Sequence, residues 1–126
     1  MTYEEEKKRA LRRRTKEFAG SVVELFIKLD RRRDELAILG KQLIRSATSV
    51  AAQYREASRA RSPEEFVAKI EASTQEADET QLWLELLRDN CQISPSLIDP
   101  IWKEADELIS IFITMSKNTK TNRSRK

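Results

Sequence analysis

The chain has 126 residues and a net charge of +3, with 36% charged residues, few aromatics and no histidine. Two glycines and three prolines are too few for a turn-rich β fold, and a single cysteine excludes an internal disulfide. No apolar run reaches membrane-spanning length and the N-terminus is charged, so we expect a cytoplasmic protein without a membrane partner.

The charge is unevenly distributed along the chain. Residues 64–89 contain eight acids and two bases, a net charge of −6, so the rest of the chain carries +9. This segregation predicts a basic surface and an acidic surface on the same molecule.

The first predicted helix begins near Thr2, and three glutamates in its first turn complement the helix dipole. Its first half is basic, and its second half is apolar on nearly every side. Core-type residues recur every three or four positions, which predicts a buried stripe of Leu11, Thr15, Phe18, Val22, Leu25 and Leu29.

The second predicted helix runs from about Asp34 to Arg59, and Gly40 weakens it slightly. Its middle is rich in serine and alanine, so a neighbouring helix can approach closely. Its predicted inner face is Leu36, Leu39, Leu43, Ala47, Val50 and Tyr54. A polar row on one side forms either a solvated edge or a buried network between helices or subunits: Arg45, Ser46, Ser49, Gln53 and Glu56.

The third predicted helix has the clearest start. Ser62 is the expected N-cap, Pro63 occupies the first helical position, and Glu65 is expected to close a capping box. The expected buried stripe is Phe66, Ile70, Ser73, Ala77, Thr80, Leu84 and Leu87.

The fourth predicted helix begins at Pro95 or at Pro100, and a kink or a short separate turn is expected at Pro100. Residues 117–126 contain five bases and no acid or apolar residue, so we expect a disordered tail after a bundle domain of residues 1–116. The predicted buried stripe is Ile101, Ala105, Leu108, Phe112 and Met115.

Four helices with short links predict an all-α, up-down-up-down antiparallel four-helix bundle. In that topology the start of the first helix, the second link and the C-terminus share one end, which collects fifteen bases. Some apolar residues exceed what one internal stripe can bury, and we expect them to form an oligomer interface: Ile27, Leu82, Trp83, Leu86, Trp102 and Ile109.

Catalytic chemistry finds little support in the sequence. Glu56, Glu76 and Glu79 could gather in a bundle, but carboxylate metal sites of that kind also use histidine, which is missing here. Cys91 has no histidine to activate it, and no glycine-rich phosphate loop occurs. We therefore expect a non-enzymatic protein without a metal or cofactor.

Three segments resemble the four-helix-bundle proteins encoded in 23S ribosomal RNA intervening sequences: residues 42–57 (QLIRSATSVAAQYREA), 61–87 (RSPEEFVAKIEASTQEADETQLWLELL) and 104–111 (EADELISI). Around Glu56 the chain has Gln53 and Ala57 where the family usually has Asn and Gly. The resemblance implies a homo-oligomeric ring, usually a pentamer. A related protein is the accessory subunit of diversity-generating retroelements, which binds nucleic acid and a reverse transcriptase.

Two functions remain open at this point. One is a scaffold that binds a partner protein such as a reverse transcriptase. The other is binding of RNA or DNA through the basic bundle end, since such binding needs charge density rather than a motif. The predicted nucleic-acid-binding residues are Lys7, Lys8, Arg9, Arg12, Arg13, Arg14, Lys16, Arg55, Arg59, Arg61, Lys117, Lys120 and Arg123.

Overall fold

The computed structural model describes residues 1–124, which form four α-helices: α1 (Tyr3–Lys28), α2 (Asp34–Ala57), α3 (Pro63–Asp89) and α4 (Pro95–Ser124). Each helix packs on its neighbours in the chain, and α1 also meets α4, which closes the bundle. The links are short, so consecutive helices run antiparallel. The predicted up-down-up-down four-helix bundle is confirmed.

The first helix begins with a complete capping box. The Thr2 hydroxyl accepts the Glu5 amide at 3.1 Å, and the Glu5 carboxylate accepts the Thr2 amide at 3.2 Å. At α3 the predicted capping box forms only in part. The Ser62 hydroxyl accepts from the Glu65 amide, but the Glu65 carboxylate accepts from the Arg61 amide instead of the Ser62 amide. The Glu65 carboxylate therefore binds the amide one residue before the N-cap, and the predicted bond to the Ser62 amide is wrong.

The predicted inner stripes meet along the bundle axis and form the core. Leu43, Ile70, Leu84 and Leu108 have no exposed surface, and they represent three of the four helices. Ile98 of α4 is equally buried, although the sequence analysis did not place it in a stripe. Four predicted core residues lie nearer the bundle ends or edges and are only partly buried: Leu11, Leu39, Phe66 and Met115.

Small residues bring α2 close to its neighbours, as the sequence predicted. The buried Ser73 hydroxyl of α3 donates to the Val50 carbonyl of α2 at 2.9 Å, a distance that requires close backbones. At Gly40, an added Cβ would lie 3.1 Å from the side chains of Phe26 in α1 and of Leu29, the residue that follows α1. Gly40 thus costs helix propensity but makes room for the end of α1.

The structure corrects two expectations about α4. The helix is continuous from Pro95, with Pro100 in its second turn, so the separate turn expected at Pro100 does not form. The predicted disordered tail is helical as far as Ser124. Ion pairs with α3 hold it, because Lys120 lies 3.0 Å from Glu71 and Arg123 lies 3.5 Å from Glu64. Arg125 and Lys126 lie outside the described residues.

Candidate nucleic-acid interface

One end of the bundle contains the start of α1, the link between α2 and α3, and the last turns of α4. We call it the basic end. All thirteen bases predicted to bind nucleic acid lie on the elements that form it, as the antiparallel topology requires. These bases do not all line one groove. Lys7, Lys8 and Arg14 line one groove, whereas another is lined by Lys16, Arg55, Arg59 and Arg61.

The best-defined cluster of these bases lines an open groove formed by α1, α2 and the start of α3, which we call the basic groove. Lys16 stands on the α1 side, Arg55 lies in the last turn of α2, and Arg59 lies two residues beyond the end of α2 in the link to α3. The floor is made by small side chains, among them Ala51 and Ala52 of α2. A ligand can therefore come close to the α2 backbone between long cationic side chains.

Two acids in the basic groove are already neutralised by neighbouring bases. Glu56 of α2 lies 3.0 Å from Lys69 of α3, and Glu65 lies 3.8 Å from Arg61. Within residues 1–124, no acidic side chain forms an ion pair with the three remaining bases of the groove. The excess positive charge of the groove therefore resides on Lys16, Arg55 and Arg59.

Some predicted binding residues hold the bundle together instead. Arg14 of α1 donates two hydrogen bonds to Glu104 of α4, at 2.7 and 2.8 Å, and lies 3.6 Å from Glu107. The bonds to Glu104 raise the pKa of Arg14 above its ordinary value. Arg12 donates to the Ser58 hydroxyl at 3.2 Å and fastens α1 to the end of α2. These two arginines are poor choices for a test of ligand binding.

A second groove separates the first half of α1 from the last part of α4, and we call it the apolar groove. Partly buried side chains of Leu11, Phe66 and Met115 form its floor above the buried Tyr54. The α1 wall carries three bases and one acid, and the α4 wall carries uncharged polar groups. The residues of the walls are Glu4, Lys7, Lys8, Ala10 and Arg14 on α1, and Ser110, Ile111, Thr114, Asn118 and Thr119 on α4.

The polar row of α2 does not form one network. The Ser46 hydroxyl is buried and lies 2.8 Å from the Thr80 hydroxyl, whereas Arg45 is exposed and Glu56 pairs with Lys69. The Oε1 atom of Gln53 is buried and has no hydrogen-bond partner among residues 1–124. The α2 row is thus divided between a buried contact with α3 and an exposed edge, and Ser49 is half-buried between them.

The half-buried Glu76 of α3 lies near that edge. Desolvation raises its pKa, the nearby carboxylate of Glu79 raises it further, and Arg45 acts in the opposite direction. The attraction of Arg45 therefore does not offset the cost of charging the Glu76 carboxylate at this position. Among the described residues, no three acidic, cysteine or histidine side chains are grouped so that they could hold a metal ion.

The residues predicted to form an oligomer interface lie mostly toward the opposite end. Ile27 of α1 is 67% exposed and Leu82 of α3 is 47% exposed. The Trp102 indole donates to Glu85 at 2.9 Å, so part of its surface is used within the chain. Half-buried residues complete the set: Trp83, Leu86, Trp102 and Ile109. Two further exposed apolar residues near this end, Ile38 and Leu97, were not predicted.

Lys69 and the apolar groove were not predicted from the sequence. Lys69 lies inside the acidic segment, so its position beside the basic end follows only from the rotation of α3. The apolar groove depends on the separation of α1 and α4, which are far apart in sequence. Within residues 1–124, no helix combines the length and apolar character needed to cross a bilayer, and Cys91 is buried.

Comparison with known proteins gives one family and a close structural similarity. The family model described as "23S rRNA-intervening sequence protein" matches residues 7–114. A crystal structure of a protein of unknown function from the S23 ribosomal protein family, from Bacteroides thetaiotaomicron, superimposes with a TM-score of 0.80. Its sequence is 32% identical, and the match covers 88% of this chain and 98% of that chain. No curated protein matches the chain.

Proposed function

The chain belongs to the 23S rRNA-intervening sequence protein family, and from this premise we propose that it is a non-enzymatic protein that binds the phosphate backbone of RNA or DNA. The binding surface is the basic groove. One observation supports this proposal above the others: Lys16, Arg55 and Arg59 converge there and form no ion pair among residues 1–124.

The shape of the basic groove suits a polyanion. Arg55 lies in the last turn of α2 and Arg59 lies in the link that follows it, and both side chains line the basic groove. Lys16 reaches the groove from α1, so a phosphate chain lying on the alanine floor would meet cations from both walls. Binding of this kind is driven by counterion release and is only weakly selective for sequence.

Self-association would increase this binding. We infer a homo-oligomer that buries Ile27 and Leu82, which are exposed near the opposite end of the bundle. A pentameric ring is what the family resemblance implies, and a cyclic assembly would repeat the basic groove around its axis. Several modest grooves on one particle would then bind a long nucleic acid more tightly than one groove could.

The test is a fluorescence anisotropy titration of labelled RNA and DNA at several salt concentrations, with protein freed of bound nucleic acid. The binding variant is the triple charge reversal Lys16→Glu, Arg55→Glu and Arg59→Glu. The matched control is Lys28→Glu, Lys41→Glu and Lys103→Glu, which changes the net charge equally at exposed positions outside the basic groove.

The wild type is expected to bind at low salt, with an affinity that falls steeply as salt rises. Loss of three phosphate contacts should weaken binding by more than about ten-fold. It should also reduce the slope of the logarithm of the binding constant against the logarithm of the salt concentration by about two to three. The control variant should keep most of the affinity. The proposal is wrong if the wild type fails to bind at low salt, or if both triple variants lose affinity equally. A function as a scaffold for a partner protein, such as a reverse transcriptase, would then be the better explanation of the exposed apolar residues.

A further inference from the structure

We propose that the apolar groove between α1 and α4 takes unpaired bases of a single-stranded nucleic acid. This inference rests on the proposed function, because the basic groove on the other side of α1 supplies the contact with the phosphate backbone. The apolar groove would add a preference for single strands over duplexes to a surface that otherwise binds any polyanion.

The apolar groove is large enough for this ligand. It has a volume of about 910 Å³, and cavities of about 300–1,000 Å³ are usual for small-molecule ligands. Its floor combines the Phe66 ring with the side chains of Leu11 and Met115, each of which is packed against the core on one side and partly exposed on the other. A flat base placed on this floor would bury apolar surface without requiring the core to open.

The walls differ in a way that matches the parts of a nucleotide. Lys7 and Lys8 stand on the α1 wall beside one acid, Glu4, so the wall remains cationic and the lysines can face a phosphate. On the α4 wall, Thr114 and Asn118 are exposed, and their side chains form no hydrogen bond among residues 1–124. Hydroxyl and amide groups can donate to or accept from the edge of a base, so the groove offers a cationic side, an apolar floor and a hydrogen-bonding side.

Charge complementarity favours a nucleotide over other occupants. A purely apolar segment would leave both lysines and the polar α4 wall without partners. An acidic helix of another protein would use the lysines but would place charged groups beside the uncharged α4 wall. A nucleotide in a single strand is the one ligand class considered that uses all three surfaces. In a duplex, the bases are stacked and paired, so the floor could not reach them.

The decisive comparison uses two labelled strands of equal length and equal charge, one intact and one abasic. Because both strands carry the same phosphates, the basic groove should bind them alike. Stacking of one base should make the intact strand bind about ten-fold more tightly. This ratio should persist as salt rises, since base insertion releases no counterions, while both affinities fall.

Two variants connect that ratio to the apolar groove. Ala10→Leu with Thr114→Leu fills the groove from exposed positions on both walls, and leucine keeps a high helix propensity. Ala68→Leu with Thr121→Leu makes similar changes at exposed positions that do not line the groove. The first variant should bring the ratio of intact to abasic affinity close to one, and the second should leave it unchanged.

Equal binding of intact and abasic strands by the wild type would overturn this inference. If that binding still falls with salt and is lost in the triple variant of the basic groove, the proposed function stands by itself. Failure of either strand to bind would overturn both. If the filled variant instead changes the sedimentation of the protein and leaves the ratio intact, the apolar groove is a contact between copies and the inference is wrong.

Discussion

The hydroxyl oxygens of Ser46 and Thr80 lie 2.8 Å apart in the buried contact between α2 and α3. The Thr80 hydroxyl also lies 2.7 Å from the Glu76 carbonyl, a bond in which it must be the donor. Because a hydroxyl has one proton, Thr80 can then only accept from Ser46, whose hydroxyl has the Leu43 carbonyl at 3.1 Å as a second and more distant acceptor. The two side chains form a directed chain of hydrogen bonds from α2 to α3 and along α3.

These hydrogen bonds predict an energetic coupling between Ser46 and Thr80. Ser46→Ala and Thr80→Val should each destabilise the bundle, and their double-mutant cycle should give a coupling of about 0.5–1.5 kcal/mol. The measurement is urea unfolding of the wild type, both single variants and the double variant. Strictly additive losses would show that the hydroxyls do not interact in solution.

Two leucines of α3 provide a test of the core. Leu84 has no exposed surface, so Leu84→Ala should lower the free energy of unfolding by about 2–5 kcal/mol. Leu82 is 47% exposed, and Leu82→Ala should cost less than about 1 kcal/mol at a concentration that keeps the chain monomeric. Chemical unfolding of both variants tests the prediction, and a loss at Leu84 below about half a kcal/mol would contradict it.

The two glycines should respond differently to alanine. At Gly20 an added Cβ meets nothing within 4 Å, so Gly20→Ala should stabilise the bundle by about 0.5–1 kcal/mol. At Gly40 the added Cβ would lie 3.1 Å from Phe26 and from Leu29, and this crowding should cancel the gain in helix propensity. Thermal unfolding of the two variants decides the matter. An equal rise in Tm for both would mean that α1 does not approach α2 so closely.

The raised pKa of Glu76 predicts that the stability of the bundle depends on pH. Burial raises its pKa above the ordinary 4.5, so the folded chain holds this proton more strongly than the unfolded chain does. Its contribution to stability is therefore present below pH 4.5 and is lost as pH rises through the folded pKa. Glu76→Gln should remove that loss and make the bundle more stable than the wild type at neutral pH.

The matched control for Glu76 is Asp78→Asn, which removes a negative charge from an exposed position of the same helix. Urea unfolding of the three proteins over the acidic pH range should show a flatter profile for Glu76→Gln alone. If Asp78→Asn flattens the profile to the same extent, the effect comes from the overall acidity of α3 and not from the burial of Glu76.

Helix positions and core stripes could be read from the sequence because they depend on residues close together in the chain. The spacing of Phe18, Val22 and Leu25 predicts a buried face in this way, and all three are buried. The helical structure of the end of α4 could not be predicted from nearby residues. Its helix continues beside α3, where Lys120 pairs with Glu71, a residue 49 positions earlier in the chain. A run of bases without apolar residues carries no local sign of that support.

The candidate site was predictable only in outline. Topology alone places the bases at one end, but the rotation of each helix decides which acid neutralises which base. Arg14 and Arg55 are both helix arginines near the basic end, yet Arg14 is held by Glu104 and Arg55 faces the basic groove. The orientation of Lys69 toward Glu56 likewise depends on the register between α2 and α3. The pairing of acids with bases therefore becomes visible only in the three-dimensional packing of the helices.

The contact between α1 and α4 has a consequence for the folding kinetics. Helices α2, α3 and α4 pack mainly on helices that adjoin them in the chain, and this local pairing favours fast folding. The α1–α4 contact is the least extensive of the four, and its two-pronged Arg14–Glu104 bridge joins residues 90 positions apart. The loop that must close is long, so we expect this contact to form last. The same contact should open first, and the amides of α1 should exchange with solvent before those of α3.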